Sequence, residues 1–160
     1  MLNLTPEQFK AKIDQKAAGM RKLTDKQLPI VIGKAAVDHF KSNFEKQAWG
    51  RTRWKEVNRR TPGTQEYNYN SRKHPARISR NILSGDTGDM KRSLQYVPQA
   101  AKVNITSDVP YFRVHNKGLM AGRKGHQFKM PRRQSVGMDK ELNQIIKDEI
   151  ISATNQLLKS

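Results

Sequence analysis

LPIVIGKAAVDHFKSNFEKQAWG, residues 28–50, decides how the chain is built. Leu28, Val31, Ala35, Phe40, Phe44 and Ala48 recur near the helical period, which predicts a long helix carrying one apolar stripe. Thr24-Asp25-Lys26-Gln27 reads as its start, and Pro29 is acceptable only inside its first turn. Running to about Gln47, such a helix spans about 30 Å and is expected to be the main core helix.

Upstream, Thr5-Pro6-Glu7-Gln8 has the pattern of a helix start: a capping threonine, a proline in the first turn, and a glutamine that can reach back to the cap. Phe9, Ile13, Ala17 and Met20 then share a face. At the other end, Met138, Leu142, Ile145, Ile146, Ile150, Ala153 and Leu157 predict a final helix. Between these lie two basic loops, about 50–81 and 119–135, and a β-rich stretch with strands expected at 94–97, 103–105 and 111–115. The expected class is α+β: one domain over residues 1–160, with a small antiparallel sheet packed against the long N-terminal-half helix and the C-terminal helix.

Charge narrows the functions. The 160 residues hold 31 Lys+Arg against 14 Asp+Glu, a formal net charge of +17, and no acidic residue occurs between Asp108 and Asp139. Such self-repulsion calls for an anionic partner, either nucleic acid or an acidic protein surface. Arg51, Arg53, Lys55, Arg59 and Arg60 surround Trp54, and Tyr67 and Tyr69 precede Arg72, Lys73 and Arg77. That mixture suits phosphate contact with base stacking, and it suits an acidic interface equally well. No run approaches the roughly 18 apolar residues of a membrane span, and the start lacks the apolar core of a signal peptide. The expectation is a protein made and used without export, with no membrane partner.

Enzyme signatures are weak. Cysteine is absent, so thiolate chemistry and Cys-ligated metals are excluded. The four histidines lack the spacing of a zinc pair, and no G-x-S-x-G elbow occurs. ILSGDTGDMKRSLQ, residues 82–95, looks at first like a metal or phosphate loop. It matches neither a P-loop nor a calcium loop. Asp86 and Asp89 are instead expected to cap a short helix over 90–93, with Gly85 and Gly88 supplying the turn. No catalytic residue, metal or cofactor is expected.

Three stretches taken in order resemble the phage virion morphogenesis (tail completion) family. ILSGDTGDMKRSL is similar to its I-L-x-x-T-G-x-L-x-x-S segment through Ile82, Leu83, Thr87, Gly88, Met90 and Ser93. VPYFRVHNKG is similar to v-x-Y-A-x-x-H-x-x-G through Tyr111, His115 and Gly118, and MPRRQSVG to i-P-x-R-x-f-l-G through Pro131, Arg133 and Gly137. The likeness covers the chain from about Leu28 onward.

The resemblance implies a structural virion protein of a tailed bacteriophage, present in the host cytoplasm during assembly and then at the neck or tail end of the virion. It completes the tail and joins it to the head within a homo-oligomeric ring of about six copies, with about twelve the alternative. Implied partners are the head connector, the tail terminator or tail tube proteins, and packaged DNA by nonspecific contact. Arg59, Arg60, Arg72, Lys73, Arg123, Lys124, Arg132 and Arg133 are the expected contact residues; Thr87, Gly88, Tyr111, His115, Gly118 and Pro131 form the structural motif. The alternative reading is a basic protein that binds nucleic acid nonspecifically.

Overall fold

The computed structural model describes residues 4–159 and is of the α+β class. Its helices are α1 (Pro6–Lys22), α2 (Leu28–Lys46), α3 (Gln65–Lys73), α4 (Pro75–Ser79), α5 (Asp89–Arg92), α6 (Phe112–Lys117) and α7 (Lys140–Lys159). The strands form three separate two-stranded sheets: β1 (Ala48–Trp49) with β2 (Thr52–Arg53), β3 (Gln95–Gln99) with β4 (Lys102–Thr106), and β5 (Met120–Ala121) with β6 (Phe128–Lys129). The described residues divide into two compact units, 4–36, 96–105 and 140–159 in one, 37–95 and 106–139 in the other.

In the first unit α1 begins as the sequence predicts. Thr5 Oγ1 accepts from Gln8 N and Gln8 Oε1 accepts from Thr5 N, which satisfies two otherwise orphaned donors. The helix does not stop where a second start was expected at Thr24. Residues Leu23–Gln27 form a π-helical turn, with Leu28 N donating to Leu23 O, and the chain runs on into α2. Pro29 supplies the reason: it has no N–H to give and its ring crowds the preceding turn, a conflict that a wider turn relieves. Gly33 on α2 lies against the β3–β4 hairpin, where an added Cβ would stand 2.4 Å from Tyr96 Cδ2 and 2.8 Å from Val103 Cγ2. Near the end of α7, Lys16 Nζ donates to the carbonyls of Leu157 and Leu158, a cation placed at a helix C-terminus. No residue of α1 is buried, and Phe9 and Ile13 are more than half exposed.

In the second unit the later part of α2 buries Val37, Phe40 and Phe44 at helical spacing, and Trp54 packs edge-on to Phe44 with ring centroids 5.5 Å apart. Ala48, Ile82, Met90 and Leu94 complete this core. Two expectations fail here. Tyr111–His115 is not a strand: Phe112 N bonds to Val109 O, and α6 follows until Gly118, at φ 67, ends it. Nor is 50–81 a loop throughout, since Thr64 caps α3 through Tyr67 N and Pro75 opens α4. Local capping thus supplies structure that the missing apolar period hid. Met138 lies before α7 and is exposed. Among the described residues no helix is long and apolar enough to cross a membrane.

Candidate functional site

The three stretches that carry the family resemblance come together, in the second unit, around one cleft of about 410 Å³. The first supplies Leu83, Thr87 and Met90, the second Tyr111 and His115, the third Arg133; Val57, Arg59, Arg77 and Arg80 join them. This volume lies within the roughly 300–1,000 Å³ typical of ligand clefts.

The first wall is a loop turned by left-handed residues. Leu83 at φ 62, Gly85 at φ 55 and Gly88 at φ 72 roll the chain from buried Ile82 into α5. A leucine in that region is uncommon and costs conformational energy that the surrounding contacts must offset. Asp89 opens α5, accepting from Thr87 Oγ1 and from Arg92 Nη2 at 2.6 Å; these bonds hold its pKa below the usual carboxylate value. Asp86, expected as a helix cap, is an ion-pair partner instead. It takes Arg77 Nη2 at 3.1 Å and also Arg80 Nη1, because Gly88 in its left-handed conformation already occupies the N-cap position.

The third wall is clamped from within. Asn116 Oδ1 accepts from Ser135 N at 2.8 Å and Val136 N at 3.0 Å, while its Nδ2 donates to Val136 O. Asn43 Nδ2 donates to Ser135 O and Trp54 Nε1 to Gln134 O at 2.7 Å. Gly118 permits the close pass, since a Cβ there would stand 2.9 Å from Arg132 Cβ. Arg133 N bonds to His115 O, which fixes the arginine beside the histidine.

Two arginines in the cleft serve backbone oxygens. Arg59 donates through Nε to Arg77 O and through Nη2 to Arg80 O and Asn81 O. Arg133, which is buried, donates through Nε to Lys55 O and through Nη2 to Glu56 O. Burial, and then the charge of a neighbouring arginine, lowers both pKa values: Arg60 acts on Arg59, and Arg59 acts on Arg133. Burial first, and Arg133 second, likewise push His115 below its ordinary value, favouring the neutral ring. His115 Nδ1 is buried without a hydrogen-bond partner among the described residues, beside the Tyr111 ring.

The expected contact residues therefore divide. Arg59 and Arg133 turn inward, and Arg60 is half-buried with Nη1 on Gln47 Oε1 at 2.6 Å. Arg72, Lys73, Arg123, Lys124 and Arg132 are exposed. Thr87 and Tyr111 are exposed at the cleft, while Gly88, Gly118 and Pro131 are half-buried. The sequence reading missed Arg80 and the clamping role of Asn116. Arg77 and Arg80 stand three apart around α4, a spacing that places them on one side and could have signalled the pair. Among the described residues no group of three or more acidic, histidine or cysteine side chains could hold a metal ion.

The cleft is cationic and is assembled from three separated motifs. The model of the phage virion morphogenesis family matches residues 10–155 of the 160. The chain belongs to that family, and its match begins earlier than the motifs alone indicate. Neither a curated protein nor a solved structure matches the chain. Membership makes it a phage protein of virion morphogenesis, associated with the virion.

Proposed function

We propose that the protein is a non-catalytic tail completion subunit, which assembles as a ring at the phage neck and joins tail to head. Family membership carries this reading. Two surface features support it. The whole of α1 is without a buried residue and presents Phe9 and Ile13 to solvent, an apolar face that suits another copy of the chain. The β5–β6 hairpin presents Arg123, Lys124 and Lys129, cations placed for an acidic connector, a tail protein or enclosed DNA.

Charge reversal at Arg123, Lys124 and Arg132 tests the reading without breaking the core, whereas Arg133 is unsuitable because it is buried. A phage carrying the triple reversal is expected to accumulate full heads beside free tails. Normal particle yield would count against the assignment. Nonspecific nucleic-acid binding is the rival reading; it requires tight binding of arbitrary duplex DNA whose affinity falls steeply with salt.

A further inference from the structure

We infer that the cleft formed by Arg59, Arg133 and His115 is a receptor for an acidic side chain of another polypeptide, presented beside an apolar one. Four arginines line the cleft against two aspartates, an excess of two positive charges with the histidine neutral. Asp86 is engaged by Arg77 and Arg80, and Asp89 by Arg92 outside the cleft. Arg59 and Arg133 have no carboxylate within ion-pair distance among the described residues. Each guanidinium carries five N–H donors, and the bonds each makes use only Nε and Nη2. The Nη1 groups of both remain unengaged, and His115 adds a buried ring nitrogen with nothing to bond. Only the His115 nitrogen is buried without a partner among the described residues; at the two Nη1 groups a bound carboxylate would replace water with a charge-assisted hydrogen bond.

The remaining lining selects the occupant. Val57, Leu83 and Met90 bring apolar surface to the same cleft, which matches a side chain flanking the acid. A nucleic-acid backbone fits poorly. It is a continuous line of phosphates, whereas this is a single cleft of about 410 Å³ with the carboxylates of Asp86 and Asp89 in its wall, which repel phosphate. The inference rests on the cleft alone and stands whether or not the protein closes a neck ring.

The test uses the full chain and a short fluorescent peptide alternating Asp and Leu, with an Asn–Leu peptide as its neutral counterpart. Anisotropy reads affinity, and the imidazole nitrogen signals of His115 report the site. The acidic peptide is expected to bind and to shift those signals, while the neutral one does neither. Arg133→Gln and His115→Phe are each expected to weaken binding about tenfold or more, as loss of a charged hydrogen bond does. The phenylalanine variant removes no hydrogen bond that the Nδ1 atom makes within the chain, so it guards against misfolding in the glutamine variant. Equal binding of the neutral peptide, unmoved His115 signals, unchanged affinity in His115→Phe, or the same His115 shifts produced by duplex DNA would each overturn the proposal.

Discussion

Replacing Asn116 with alanine tests the claim that one amide clamps the third motif against α6. The side chain accepts from the N–H groups of Ser135 and Val136 and donates to Val136 O. Ser135 is wholly buried, so water cannot replace the lost acceptor there; Val136 is half-buried and can be partly rescued. Stranding a buried polar group costs about 1–3 kcal/mol, and the two N–H groups together predict a loss of about 2–4 kcal/mol. With a urea slope of about 1–3 kcal/mol per molar, the denaturation midpoint should fall by about 1–2 M with the slope unchanged. A drop below about 0.3 M, measured by circular dichroism on the full chain, would refute the clamp. The same variant should weaken the acidic peptide, because Arg133 precedes the clamped residues.

Gly33→Ala should destabilise the first unit by about 1–3 kcal/mol through overpacking against Tyr96 and Val103, outweighing the roughly 1 kcal/mol that alanine gains in a helix; thermal melting checks the sign. Trp54→Phe keeps the edge-on contact with Phe44 but strands Gln134 O, and urea titration should show a loss of about 1–2 kcal/mol. For His115 the folded-state pKa is depressed, so as pH falls the unfolded chain takes the proton first. Its contribution is full above about pH 6.5 and is lost as pH falls toward the lower folded value. His115→Phe should therefore flatten the stability profile below neutrality, and an unchanged profile would remove the burial argument. Phe9→Asp with Ile13→Asp should lower the oligomer mass in light scattering while leaving helix content intact.

What could be read from the sequence followed from strong local chemistry. The capping box at Thr5 and the apolar period of α7 each specify a helix without tertiary help. The π turn before Pro29 was not legible because an N-cap pattern and a continued helix look alike when Thr24 and Asp25 precede a proline. Tyr111–His115 alternates like a strand, yet the turn at Val109 and the left-handed Gly118 make it a short helix. For the cleft, the sequence showed which residues belong to the motifs but not that they meet. Arg59 and Arg133 look like any surface cation until backbone carbonyls from distant segments turn them inward.

The central claim is that the chain acts in building the virion. Electron microscopy of lysates from a phage whose copy of this gene is inactivated, with and without the wild-type protein supplied in trans, tests it most directly. The account predicts DNA-filled heads and separate tails that become whole particles when the protein is restored. Intact infectious particles in its absence would contradict it.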